Sequence, residues 1–203
     1  GARVVVDDLD REPAQETVAA IEAAGGEAVA CVGSVTAPDF AERFVNTAVS
    51  RFKGLDIVVN NAGYTWDNVI QKTTDEQWYA MLDVHMTAPF RILRAAAGFI
   101  RQASKAEAEA GREVFRKVVN ISSLSGRVGS RGFIAYGTAK GALTHWTRMA
   151  AADLSPRVRV NAQPRRRPLP DVGRRRGRVH LCSLRGPVRE LVGVTRDARD
   201  DLR

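Results

Sequence analysis

Only two cysteines, Cys31 and Cys182, occur in 203 residues, and they support neither a disulfide framework nor a metal site. No run of about 18 apolar residues is present, so no membrane-spanning helix is expected. The opening Gly1-Ala2-Arg3 lacks the layout of a signal peptide, and a cytoplasmic setting is the expectation. The last fifth of the chain, residues 163–203, lacks both lysine and aromatic residues. What remains is ordinary for a folded domain: the length suits one domain, and a hydrophobic fraction of 44% suffices for a core.

Charge divides the chain into two parts. Residues 163–203 hold 12 Arg and 5 acidic residues, a balance of +7, whereas residues 1–162 hold 19 basic and 18 acidic residues, a balance of +1. Nearly all of the net +8 therefore lies at one end.

The most informative short pattern is Ala135-Tyr136-Gly137-Thr138-Ala139-Lys140, with Ser123 thirteen residues before the tyrosine. Positions four apart on a helix share a face, which sets an ammonium near a phenol. A nearby positive charge favours the phenolate, so the lysine lowers the pH at which the tyrosine releases its proton. Such a phenol can exchange a proton with an alcohol or carbonyl oxygen, and a serine hydroxyl can hold that oxygen. The alternative is a surface pair at a chance spacing.

Three apolar, β-branched runs each end in polar residues: Val4-Val5-Val6 in Asp7-Asp8, Ile57-Val58-Val59 in Asn60-Asn61-Ala62-Gly63, and Val118-Val119-Asn120-Ile121 in Ser122-Ser123. In an open parallel sheet ligands bind at such carboxyl ends. Helical patterns alternate with these strands, the signature of a doubly wound α/β sheet. Helices are expected over 13–24, 38–52 and 136–154, and a strand over 28–32. Residues 74–100 carry one or two helices, with Trp78, Met81, Leu82, Phe90 and Leu93 read as core. The charged, alanine-rich stretch 104–116 reads as an exposed helical extension.

Taken together, Asn60-Asn61-Ala62-Gly63, Asn120-Ile121-Ser122-Ser123, Tyr136 with Lys140, and Val158-Arg159-Val160-Asn161 resemble the short-chain dehydrogenase/reductase family, particularly its 3-oxoacyl-(acyl carrier protein) reductase-like members. The resemblance runs from about residue 1 to 162. It implies a Rossmann-like doubly wound parallel sheet and hydride transfer between a nicotinamide cofactor and a carbonyl or secondary alcohol, with 3-oxoacyl thioesters among the candidate substrates. Tyr136 is then the acid–base group, Ser123 orients the reacting oxygen, and Lys140 binds the nicotinamide ribose and tunes the phenol. Asn61, Ala62 and Gly63 form the turn beside the cofactor, and Val35 lies against the adenine. Ser34 replaces the acid that relatives carry there. His85 stands where similar enzymes have an asparagine that anchors a proton relay; an imidazole that titrates near neutrality can relay a proton. A plain, hydrogen-bonded helix histidine is the competing reading. Relatives commonly form tetramers, so a homo-oligomer is implied.

Asp8 ends the first strand, where a carboxylate accepts hydrogen bonds from the adenosine ribose and repels a 2′-phosphate. NAD is therefore expected over NADP, which stays the alternative. Capping of the following helix by Asp7, Asp8 and Asp10 is the structural reading.

Two parts of the family pattern are absent. The strand that the family places ahead of the one ending at Asp8 does not occur, nor does its Gly-rich pyrophosphate loop, and after Asn161-Ala162 the family's Pro-Gly turn, covering loop and last strand give way to Gln163-Pro164-Arg165-Arg166-Arg167. The sheet is thus expected to be incomplete, and 163–203 to be a separate Arg-rich tail. Three readings of the tail stay open: a shifted reading frame in a GC-rich gene, an unstructured basic segment, or a nucleic-acid-binding segment. Without aromatics, base stacking is unsupported and no specific nucleic acid is expected. The competing function is an inactive fragment whose tail binds nucleic acid non-specifically.

Overall fold

The computed structural model describes residues 1–164 and the backbone of 181–185. Strand β1 (Arg3–Asp7) is followed by α1 (Arg11–Ala23), β2 (Glu27–Ala30), α2 (Phe40–Phe52) and β3 (Ile57–Asn60). Then come α3 (Asp75–Leu82), α4 (Ala88–Glu109), β4 (Arg116–Ser122), α5 (Ile134–Leu154), β5 (Val158–Pro164) and β6 (Leu181–Arg185). One sheet runs β2-β1-β6-β3-β4-β5.

The β1–β2, β3–β4 and β4–β5 pairs are parallel, as expected of a doubly wound fold. Alternation along β1 shows why helices cover both faces. Val5 packs with Phe40 and Phe44 of α2, while Val4 and Val6 pack with Val18 of α1. Turn chemistry ends the helices where the sequence indicates. Gly25 stops α1 with a φ of 78°, and Lys53 closes α2 in the left-handed region. Thr74 and Gln77 form a reciprocal capping box at the start of α3.

The sheet departs from an all-parallel arrangement at one place: β6 lies antiparallel between β1 and β3. Two strands left side by side without a neighbour would each expose a row of peptide groups, and β6 supplies the partners. Among the described residues no further strand follows β5 on the other side, so the sheet remains incomplete there. The readings of 163–203 as a disordered or frame-shifted tail lie largely outside the described residues.

Two expectations about the middle of the chain change. A π-helical turn, Asp83–Thr87, separates α3 from α4. Its extra residue rotates α4 about its axis, so the buried stripe resets to Ala88, Ile92, Leu93, Ala96 and Ile100. Met81 and Leu93 are buried as expected, but Phe90 faces solvent beneath the Arg94 guanidinium. Most of 104–116 is exposed and the helix continues into it, as expected, but the two ends of the stretch are not solvated. Ser104 is buried, α4 ends at Glu109, and Arg116 lies buried in β4. Its guanidinium grips Glu107 with two hydrogen bonds of 2.9 and 2.8 Å and also donates to the Leu55 carbonyl. These contacts hold the Glu107 carboxyl below its ordinary range. Among the described residues no helix is long and apolar enough to cross a membrane.

Candidate active site

Tyr136 and Lys140 lie on the inner face of α5, and both are buried, at 5% and 3% exposure, so they are not a solvated surface pair. Lys140 Nζ donates to the Ile121 carbonyl at 2.5 Å and stands 5.7 Å from the centre of the Tyr136 ring. Burying an ammonium is costly unless it is hydrogen-bonded, and the end of β4 supplies the acceptor. The same end of β4 anchors α5 through Ser122, whose hydroxyl lies 2.6 Å from that of Thr144. Deeper still, Asn60 donates to Asn120, Asn120 to Thr147 and Thr147 to the Leu143 carbonyl. Asn60 thus ties β3 to β4 and α5, the structural role open to these asparagines.

His85 comes from the π-helical turn, and its ring meets the Tyr136 ring edge-on at 5.0 Å. Its Nε2 lies 2.8 Å from the Tyr64 carbonyl, so that nitrogen carries the hydrogen. Nδ1 is then a bare acceptor, buried and without a hydrogen-bond partner. The expectation that His85 titrates near neutrality is overturned. Burial, followed by the charge of Lys140, holds its pKa well below the ordinary value, against a smaller opposing effect of the Tyr64 bond. Gly63 makes room for the ring: a Cβ there would collide with His85 Cε1 and Nδ1.

Ser123 stands just past β4, at the start of a short 3-10 turn, Leu124–Gly126, where its hydroxyl accepts from the Ser125 N–H at 3.2 Å. This turn is pressed onto α5. A Cβ on Gly126 would lie 2.6 Å from the Lys140 carbonyl carbon, and one on Gly137 would lie 3.0 Å from the Ser125 oxygen. Small residues on both elements allow that approach. A cleft of about 660 Å³ opens beside it, lined by 68–71, 125–134 and the Gly137, Thr138 and Gly141 edge of α5. Residues 127–133 supply much of that wall. Nearby, Tyr64 packs against the core and Trp66 is exposed.

Some distance along the same sheet edge lies a second cluster. Asp7 and Asp8 are buried at 1% and 4% exposure. Asp8 Oδ1 accepts from the Asp10 N–H at 3.2 Å, while Asp8 Oδ2 and Asp7 Oδ1 are buried without partners. Asp10, at the N-cap of α1, makes no side-chain cap. Capping therefore accounts for one oxygen of Asp8 and leaves the other open. Burial, reinforced by the Asp8 charge and opposed by Arg43, pushes the Asp7 carboxyl up to about 8. Ser34 is engaged locally, its hydroxyl 2.8 Å from that of Thr36. Val35 and Ala62 are buried beside Asn60 and Val84, and Asn61 begins the turn that leads to Gly63.

Sequence reasoning missed Asp67. Its carboxylate accepts from the backbone N–H groups of Ala135 (2.7 Å) and Tyr136 (3.0 and 3.2 Å). Burial raises its pKa, and the Tyr136 and Ala135 hydrogen bonds pull it back. The available signal was that Asp67 is the only charged residue between Asp56 and Lys72.

The family model for short chain dehydrogenases matches residues 1–164. The chain belongs to the short-chain dehydrogenase family. The chain is 40% identical over 159 residues to the hydroxyacyl-CoA dehydrogenase ChsB1 of Mycobacterium tuberculosis, covering 76% of this chain and 49% of that protein. It is 32% identical over 164 residues to a 3-oxoacyl-[acyl-carrier-protein] reductase of Synechocystis, covering 80% of this chain and 62% of the relative. The structure of NAD+-bound xylitol dehydrogenase superposes with a TM-score of 0.69 at 30% identity, over 79% of this chain and 58% of the other. The chain therefore spans about half to three-fifths of the length of these relatives.

Proposed function

We propose that this site transfers hydride between NAD(H) and a carbonyl or secondary alcohol. The observation that carries the reading is the buried grouping of Lys140, Tyr136 and His85 beside the end of β4. Tyr136 gives or takes the proton of the reacting oxygen, and Ser123 orients that oxygen. Lys140 binds the nicotinamide ribose, and its held ammonium favours the phenolate form of the tyrosine. His85 stays neutral and offers its bare Nδ1 as the acceptor in a relay behind the pair.

The residues at the other cluster fit the cofactor on one specific ground: Asp8 Oδ2 is a buried acceptor in want of a donor, as a ribose hydroxyl would be. Asp8 would hold the adenosine ribose, Val35 and Ser34 the adenine side, and Asn61, Ala62 and Gly63 the turn near the nicotinamide ribose. When bound, the cofactor supplies the hydride chemistry. A carboxylate followed by Leu9 disfavours a 2′-phosphate, hence NAD over NADP. The names of the two relatives favour a substrate with an oxygen on an acyl thioester, so a 3-oxoacyl compound is the substrate of this reading. A cytoplasmic homotetramer belongs to the same reading and rests on family resemblance.

Fluorescence titration of the full chain with NADH and NADPH tests it. Saturable binding, tighter for NADH, is the expected result. Absence of saturable binding to either would overturn the reading and leave an inactive fragment. Salt-sensitive DNA binding under those conditions would favour the basic-tail alternative.

A further inference from the structure

We propose that Asp67 is a positioning residue for Tyr136, holding the start of α5 by a carboxylate reached across the site. The inference rests on the acid–base role proposed above. The first N–H groups of a helix have no acceptors within it, and a local Ser, Thr, Asp or Asn usually supplies one. At α5 that position is taken by Phe133, which provides no side-chain cap. Asp67 fills the place from 68 and 69 residues away, with both of its oxygens on the Tyr136 N–H and one on the Ala135 N–H.

The position of this acceptor in the chain gives it more than a capping role. Tyr64, three residues before Asp67, accepts the His85 Nε2–H bond, and the His85 ring abuts the Tyr136 ring. Gly63, next to Tyr64, lies close against the imidazole. The segment between β3 and α3 therefore holds the tyrosine twice, by its ring through His85 and by its backbone through Asp67. A change in the course of this segment moves both grips together.

Charge adds a second effect. The N-terminus of α5 carries the positive end of the helix dipole, and Asp67 sets a negative charge against it. Among the described residues, the Lys140 ammonium lies 5.7 Å from the centre of the Tyr136 ring and the neutral His85 meets that ring edge-on; Ser123, past β4, is uncharged. Removing the Asp67 charge leaves the ammonium and the helix end unopposed, which favours the phenolate.

The test uses the full chain. In the unmodified protein the Ala135 and Tyr136 amides should exchange slowly with solvent, and Asp67→Ala should speed both by roughly tenfold. Alkaline absorbance titration, with Tyr136→Phe as the blank, then follows the phenol. Asp67→Asn, which keeps an acceptor but loses the charge, should lower the Tyr136 midpoint by several tenths of a unit to about one unit. Fast exchange of both amides in the unmodified chain would overturn the proposal, even if neither variant folds. So would an unchanged midpoint in a folded Asp67→Asn chain. Neither measurement needs turnover: failure to bind NADH with these results intact would sink the functional reading and leave the positioning role standing.

Discussion

The two polar clusters on the carboxyl edge of the sheet handle buried charge in opposite ways. Around Tyr136 each hidden charged group has an answer within the protein: Lys140 has the Ile121 carbonyl, and Asp67 has the start of α5. At the end of β1, Asp7 and Asp8 keep carboxylate oxygens that are buried and unmatched. There one charge is relieved by protonation, since Asp7 titrates only near about 8. A region that answers its own buried charges, leaving open only a neutral acceptor such as His85 Nδ1, is pre-formed for chemistry. One that leaves acceptors open is built to be completed by something that donates, or bears the cost of leaving them open.

Four substitutions sharpen or break that contrast. The largest effect is expected from Tyr136→Phe, which keeps the ring against His85 but removes the proton carrier. Reduction of a 3-oxoacyl thioester by NADH should fall by about 10²- to 10⁴-fold, with NADH binding retained in the fluorescence titration. Turnover within a few-fold of the unmodified chain would end the acid–base assignment.

Asp7→Asn acts on the open end and its sign follows from the raised pKa. Between the ordinary carboxyl value of 3.8 and about 8, the folded chain holds a proton that the unfolded chain has released. Stability from this residue is thus fully present below about pH 4 and is lost as the pH climbs to about 8. Asparagine needs no proton, so its advantage should grow from nothing in acid to several kcal/mol above pH 8, at about 1.4 kcal/mol per unit. Urea unfolding at pH 5 and pH 9 reads it; an equal effect at both would show that Asp7 is not the proton holder.

Gly63→Ala tests the closed end by geometry. The new Cβ meets the His85 ring, and the misfit should cost about 1–3 kcal/mol in unfolding free energy. A neutral outcome would mean that the imidazole is free to shift. The smallest effect belongs to Thr144→Val, which deletes the hydroxyl partner of Ser122 and should cost about 1 kcal/mol. A loss several times larger would make that bond, rather than Lys140, the main tie between β4 and α5.

Local chemistry was legible where one element decides it. The β-branched runs at Val4-Val5-Val6 and Ile57-Val58-Val59 became strands, and the helix expected over 38–52 forms as Phe40–Phe52 with Phe40, Phe44 and Val45 buried. The four-residue spacing of Tyr136 and Lys140 put both on one face of α5. What escaped involved distant partners. Phe90 lies on the side of α4 away from Ala88, Ile92 and Ala96, so its apolar character did not place it in the core. Arg116 looked like part of a solvated stretch because its partner Glu107 lies across a turn of chain. Asp67 carried no motif, since its ligands are two backbone N–H groups far along the sequence.

The sequence by itself determined which residues could do chemistry here, because residue type, periodicity and short spacing are properties of neighbouring residues on one element. Only the tertiary structure decided their states. The tautomer and neutrality of His85, the acceptor of Lys140, the raised carboxyl of Asp7 and the grip of Asp67 all depend on burial and on groups brought together from separate elements. Desolvation and hydrogen-bond partnership act through space rather than along the chain.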